Sequence, residues 1–363
     1  MSFARLLDPF RGKAVTLPPM DGALRPNNRL DEAAAALVVD APDNLVLANG
    51  RVLFSTGGSV LGLAADGGGP PQRVAAFAAA VTALAASPSG GFAAGLDDGG
   101  IVVTGGAHDG RRIVTVGPQG LACPTALAFL DADTLIVCQG SAEVRPSDWA
   151  LDLMRRSAAG SVWRLDLRTG AATCLADGLA FPHGLLLTGD GGLVVAESWR
   201  HRLVRIGSSG NARPTPVLTN LPGYPSRLSP ALGGGAWLCL FAPRSRLIEF
   251  VLGEDDYRAE MLREVPRELW IAPALSSGRS FLEPLQCGGV RTMGIDKPWA
   301  PSRSYGLLVR LDRDLRPAAS FHSRANGARH GITSALDLGG AVLVASKGGG
   351  AILRLGAPED GQT

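Results

Sequence analysis

The chain has 363 residues, 46% of them hydrophobic, and its 35 basic and 33 acidic side chains leave a formal charge of +2. That balance excludes a grip on nucleic acid or an anionic membrane through bulk charge, and no apolar run approaches the roughly 18 residues that a membrane span needs. The 48 glycines and 25 prolines are dispersed, as in a chain of many turns rather than a disordered one.

Residues 1–29 are rich in proline and arginine, show weak periodicity and read as a surface arm. They hold neither an apolar signal core nor a small-residue cleavage site. The five cysteines (Cys123, Cys138, Cys174, Cys239 and Cys287) are odd in number and never paired as C-x-x-C, and three of them sit inside apolar strands as small hydrophobes, which points to a reducing cytoplasm. Lys13, Lys297 and Lys347 are the only lysines, a coding bias toward arginine rather than a phosphate-binding device.

From residue 30 onward the same block of short strands recurs six times. Its second strands are predicted at Arg51–Thr56, Gly91–Gly95, Thr134–Gln139, Gly192–Ser198, Ala236–Phe241 and Ala341–Ser346. Third strands follow at Ser59–Leu63, Gly100–Thr104, Ser161–Leu167, Arg202–Ile206, Tyr305–Leu311 and Ala351–Leu355. Outer strands fall at Gln72–Phe77, Arg111–Val116, Ala171–Ala176, Thr215–Thr219 and Pro317–His322. Asn49-Gly50 is the strongest hairpin signal. A repeat of about 40–50 residues in four strands is the mark of a propeller blade. The expected fold is therefore all-β: a six-bladed β-propeller over residues 30–356, followed by a tail at 357–363. The sixth block ends without a fourth strand, and Ala34–Val39 is predicted to supply it, because an open edge is a liability.

Two insertions with short helices interrupt the pattern. Ser147–Arg156 reads as a helix capped by Ser147. Residues 243–304, between the second and third strands of block five, carry a helical stretch near Glu254–Leu269 and the loop GIDKPWAPSRS; they form either a wall of a binding pocket or a decoration on the ring.

Four inner strands open with proline and a polar residue, at Pro42-Asp43-Asn44, Pro124-Thr125, Pro182-His183 and Pro225-Ser226-Arg227. Thr82, and His330 with Thr333, hold the equivalent places in blocks two and six. Inner strands start at one rim of the channel, so these side chains are expected to ring one cavity. A carboxylate and two imidazoles there can exchange protons near neutral pH, the Asp raising the pKa of the His beside it. The catalytic candidates are His183, Asp43, Arg227 and His330, with Arg227 holding an oxyanion. Asn44, Thr82, Thr125, Ser226, Thr333 and Trp149 are candidate substrate contacts, and Glu197 with Arg202 and Arg205 reads as a structural network. H-E-x-x-H, G-x-S-x-G and P-loop motifs are missing, and the glycine-rich runs read as turns.

The run Leu175–Ile206, with its Phe-Pro-His-Gly opening and Val-Ala-Glu-Ser strand, resembles the most recognisable blade of bacterial strictosidine synthase-like proteins. Leu221–Leu240, the helix SDWALDLMRR with GSVWRLDLRTG after it, SYGLLVRLDRDL, and HGITSALDLGGAVLVAS resemble further parts of that family. The resemblance spans about residues 30–356 and places the chain beside gluconolactonases, regucalcin-like proteins and paraoxonases.

Among the lactonase relatives the resemblance implies a divalent cation held by Glu, Asn, Asn and Asp. Here those places read Asp43, Thr125, His183 and Ser226-Arg227, and a cationic Arg227 repels metal. That leaves either a remodelled Ca²⁺ or Zn²⁺ site on Asp43 and His183 or no metal. The glutamate that strictosidine synthases use in the last blade has no counterpart, since Asp337 sits in a hairpin turn, so strictosidine formation itself is not expected. The leading expectation is a small-molecule hydrolase of lactones or esters, with His183 and Asp43 activating water. The alternatives are a non-catalytic small-molecule binding propeller and a metal-free enzyme forming C–C or C–N bonds.

Overall fold

The computed structural model describes residues 16–207, 213–277, 283 and 303–356. Six four-stranded antiparallel sheets follow one another along the chain. Their innermost strands start at Asp43, Val81, Pro124, Pro182, Gly223 and Ile332, and each packs on the next, the sixth against the first. The chain is a six-bladed β-propeller. Blade six takes its outer strand from the N-terminal side: Ala34–Val38 runs antiparallel to Ala351–Gly356, with Ala34 opposite Arg354 and Val38 opposite Ala351. The expected closure is thus present, and it covers an edge that would otherwise invite pairing with another chain.

The second and third strands lie within two residues of their predicted bounds. They read as unbroken apolar runs because both faces of every blade are buried, unlike a sheet with one wet face. In Thr134–Gln139, Leu135 and Val137 point into the core shared with blade two, while Ile136 and Cys138 point into the core shared with blade four. Six such inter-blade cores account for most of the buried apolar side chains. Asn49 and Gly50 both have positive φ, at 50° and 69°, as the tight primed hairpin requires.

Departures from the predictions lie at the periphery. The outer strand of blade two is only Arg112–Ile113, because the chain leaves the sheet to pair Thr115–Val116 with Gln119–Gly120 around Gly117. The first insertion is a helix over Trp149–Arg155 entered through a 3₁₀ turn at Pro146–Asp148. No side chain caps it, Ser147 included; the Ser147 N–H ties the turn to Asp97 Oδ1 at 2.7 Å. Among its described residues the second insertion holds two α-helices, Arg246–Gly253 and Asp255–Glu264, and a 3₁₀ turn at Arg267–Leu269, where one stretch over about Glu254–Leu269 was expected. Ser245 caps the first by accepting from the Ile248 N–H at 3.2 Å. Glu249 then ties that helix to the ring through Arg244 at 3.2 Å and His201 at 3.3 Å. The loop GIDKPWAPSRS lies outside the described residues except for Arg303 and Ser304.

At the channel mouth a circuit of hydrogen bonds passes from blade to blade. Asn44 Nδ2 reaches the Val81 carbonyl at 3.5 Å, Thr82 Oγ1 donates to the Pro124 carbonyl at 2.6 Å, and Thr125 Oγ1 to the Pro182 carbonyl at 2.5 Å. Ser198 Oγ donates to the Pro225 carbonyl at 2.5 Å, and Ser226 Oγ lies 3.3 Å from the Thr333 carbonyl and 3.2 Å from the Cys239 carbonyl of its own blade. Ser334 Oγ accepts from the Leu45 N–H at 2.9 Å and closes the circuit.

Replacing Thr125 by the isosteric Val removes one link and leaves a buried carbonyl unpaired, at a cost of about 1–3 kcal/mol. Urea unfolding of Thr125→Val should show that loss, and an unchanged midpoint would refute the link's role.

Candidate functional site

Every innermost strand carries one extra residue where it meets the mouth. The ladder skips between Asp43 and Val46, Val81 and Ala83, Pro124 and Ala126, Pro182 and Gly184, Pro225 and Leu228, and Ile332 and Ser334. A bulge re-aims a side chain out of the sheet's alternation. Six bulges turn Asn44, Thr82, Thr125, His183, the Ser226-Arg227 pair and Thr333 toward the mouth and its hydrogen-bond circuit. Asn44 reaches its place with φ at 59°, a conformation asparagine tolerates better than most residues.

A cavity of about 280 Å³ opens there, lined by Asp43, Thr82, Asp97, Thr125, Trp149, Phe181, His183, Arg227, Phe241, Leu275, Thr333 and Lys347 among others. Asp43 is its electrostatic centre and is only 3% exposed. One carboxylate oxygen lies 2.9 Å from Arg227 Nη1 and accepts from the Asn44 N–H at 2.8 Å; the other accepts from Lys347 Nζ at 3.0 Å. Arg227 Nη1 is close to Asp43 but poorly aligned, so that contact is ionic, while Nη2 donates to the Thr82 carbonyl at 2.5 Å. Burial alone would raise the Asp43 carboxyl. The Arg227 and Lys347 charges and the bonds from Lys347 and Asn44 outweigh it and hold the group well below the usual carboxylate range.

Arg227 also lines a second cavity, about 380 Å³, walled by inner-strand side chains such as Leu45, Leu84, Leu127, Leu185 and Leu336. Arg227 therefore borders both the mouth cavity and this apolar one.

His183 stands edge-on to Phe181 and Phe241, with ring centroids 5.5 and 5.6 Å away. Its Nδ1 is buried without a hydrogen-bond partner. Burial, reinforced by the Arg227 and Lys347 charges and opposed by Asp43, pushes the imidazole down to about 3. The expected His183–Asp43 pair is absent: both Asp43 oxygens are already engaged. The surrounding field favours a neutral ring, the opposite of the raised pKa expected from an Asp neighbour.

The other candidates divide clearly. Thr82 and Thr125 line the cavity, but their hydroxyls are committed to the inter-blade circuit. Asn44 and Ser226 are buried within that circuit and do not line the cavity. Thr333 lines it with a buried, unpartnered Oγ1, and Trp149 forms part of its aromatic wall. His330 is set back from it, its ring nitrogens 2.8 Å from Ser304 Oγ and 2.7 Å from the Arg324 carbonyl, so it is a structural histidine. Glu197 is buried and structural as expected; it pairs with Arg200 and Arg202, whereas Arg205 pairs with Asp190. Lys347, Asp97, Phe181 and Phe241 were missed. Asp97 and Lys347 each follow the second strand of a blade, so the ends of those strands carried the unused signal.

The donor set does not fit a divalent cation. Asp43 is the one carboxylate at the centre, and two cations stand within 3.0 Å of it. Among the described residues no three His, Cys, Asp or Glu side chains cluster as metal ligands, and no helix is long and apolar enough to cross a membrane.

Residues 126–207, the end of the inner strand of blade three through the third strand of blade four, match the strictosidine synthase family model. The match covers part of the sequence resemblance, including its most recognisable run, Leu175–Ile206. No curated protein matches the chain. Among solved structures, a gluconolactonase from Xanthomonas campestris superposes with a TM-score of 0.55 at 13% identity, over 90% of this chain and 88% of that one. A calcium-binding regucalcin from Agrobacterium tumefaciens gives a TM-score of 0.48 at 13% identity, over 91% and 93%. At such identities the likeness to the gluconolactonase is one of fold.

The neutral His183 makes an acid-stability prediction. In the unfolded chain the ring takes a proton below its ordinary value near 6.5, whereas in the fold it stays neutral down to about 3. The unfolded state therefore binds more protons between those limits, and stability falls as pH drops through them. His183→Asn should flatten the fall of the urea-unfolding free energy by about one proton, roughly 1.4 kcal/mol per pH unit. An unchanged slope would mean that the ring titrates near its ordinary value.

Proposed function

We propose that the channel mouth binds a small lactone or ester and hydrolyses it by polarising its carbonyl electrostatically, without a metal and without a histidine base. The observation that carries this reading is the Lys347 ammonium, held by Asp43 beside an aromatic cavity in a gluconolactonase-like fold. An ammonium has three donors, and Asp43 takes one of those on Lys347. A carbonyl oxygen placed against another is polarised, and the oxyanion formed when hydroxide adds to the carbon is stabilised in a partly dry site. Collapse of that intermediate breaks the acyl C–O bond. The alkoxide released takes up, directly or through water, the proton that the new carboxylic acid gives up, and the carboxylate so formed remains beside Lys347 and Arg227.

The alternative, binding without turnover, is favoured by one observation: neither Asp43 nor His183 is basic enough to take a proton from water near neutrality.

γ-Phenyl-γ-butyrolactone and phenyl acetate separate the two. Hydrolysis above background should climb with hydroxide from pH 6 to 9 with no inflection near 6.5, persist in EDTA, and drop about tenfold or more in Lys347→Met. An inflection near 6.5 would restore His183 as a base. Loss of activity in EDTA would restore a metal, and the absence of turnover would leave the binding reading.

A further inference from the structure

The mouth's hydroxyls and charges also define the class of compound it holds. A polyhydroxylated sugar lactone or sugar acid needs a hydrogen-bond partner for most of its hydroxyls, because a buried polar group without one costs free energy. Here the Thr82 and Thr125 hydroxyls are tied to Pro124 and Pro182, leaving Thr333 Oγ1 as the one hydroxyl among the described lining threonines without a partner. Beside these, Ser147 adds one hydroxyl at the rim, and much of the uncharged wall is apolar and aromatic: Trp149 meets Phe241 edge-on at 5.3 Å, and Phe181 stacks on Trp199 at 4.5 Å behind it.

Charge sets the second requirement. Lys347 Nζ is the only lysine nitrogen among the described residues, and its side chain is 32% exposed although Asp43 beside it is buried. Asp43 takes one of its three donors, and Lys347 lines the cavity. Asp97 also lines the cavity, and one of its oxygens accepts from the Ser147 N–H. At His183, in contrast, the cations Arg227 and Lys347 together oppose protonation of the ring.

From this geometry we infer that the site selects a ring-bearing apolar carboxylic acid, its ring against Trp149 and Phe241 and its carboxylate on Lys347, over both sugar acids and the matching amines. The inference deepens the hydrolase reading, in which such an acid is the product, but the binding it describes can be read without turnover.

Calorimetric titration of the whole chain with phenylacetate, phenylacetamide, phenethylamine and gluconate tests it. Phenylacetate should bind at least about tenfold more tightly than its neutral amide, as one charge-assisted contact supplies. The amine should bind more weakly than the acid, and gluconate should give no heat at millimolar concentration. Lys347→Met should erase the preference of acid over amide, Lys347→Arg should keep it, and Trp149→Ala should weaken acid and amide alike.

Equal binding of acid and amide, tighter binding of gluconate or the amine, or no binding across the set would overturn the inference. A preference untouched in Lys347→Met would do the same. Acid-selective binding without ester turnover defeats the hydrolase reading alone, whereas turnover without acid selectivity defeats this inference alone.

Discussion

Closing six sheets into a ring imposes a requirement that the inter-blade cores do not meet. Apolar packing between blades is non-directional, so it supplies stability without deciding how far the blades splay at the rim. The circuit of side-chain hydrogen bonds at the mouth makes that decision. Five of its six links end on a backbone carbonyl of the following blade, and the sixth runs from a backbone N–H to Ser334. The channel mouth is therefore first a structural device and only secondarily a place for chemistry.

That priority explains which residues are free to act. In blade four the link comes from Ser198, at the end of the second strand, rather than from the bulge residue, so position 183 is released from structural duty. In blade six Ser334 does the work beside Thr333, with the same result. In blade five Ser226 takes the link and its neighbour Arg227 is released to cross toward Asp43. Within the innermost strands the unlinked groups at the mouth are thus Asp43, His183, Arg227 and Thr333, together with Lys347 from the end of a second strand.

The fold was legible because its signals repeat. The apolar runs, the Asn49-Gly50 turn and the unpaired Ala34–Val39 segment each have a local physical cause that survives in one dimension. Outer strands and helix starts were less legible: at Ser147 a backbone bond to Asp97, distant in the chain, holds the 3₁₀ turn through which the chain enters the helix, and the helix begins at Trp149 without a side-chain cap. The mouth was half legible. A proline followed by a polar residue located the rim correctly, but residue type could not separate a threonine that clamps two blades from one that faces a ligand. Nor could it give the sign of the field. Asp43 and His183 looked like a proton-transfer pair until Lys347, some 300 residues later and inside a run read as a glycine turn, was found on the same carboxylate. His330, followed by a glycine as His183 is, is set apart in space by the atoms that fill its two hydrogen-bonding positions.

Arg227, whose guanidinium is fastened between Asp43 and the Thr82 carbonyl, lines both the mouth cavity and the leucine-lined one. A ligand that displaced it would break contacts to blades one and two together and disturb both spaces. The walls of the mouth cavity include Pro146, Trp149 and Leu275, which lie outside the propeller's repeating strands. Changes in these insertions can alter what the cavity admits while the ring and its circuit stay as they are.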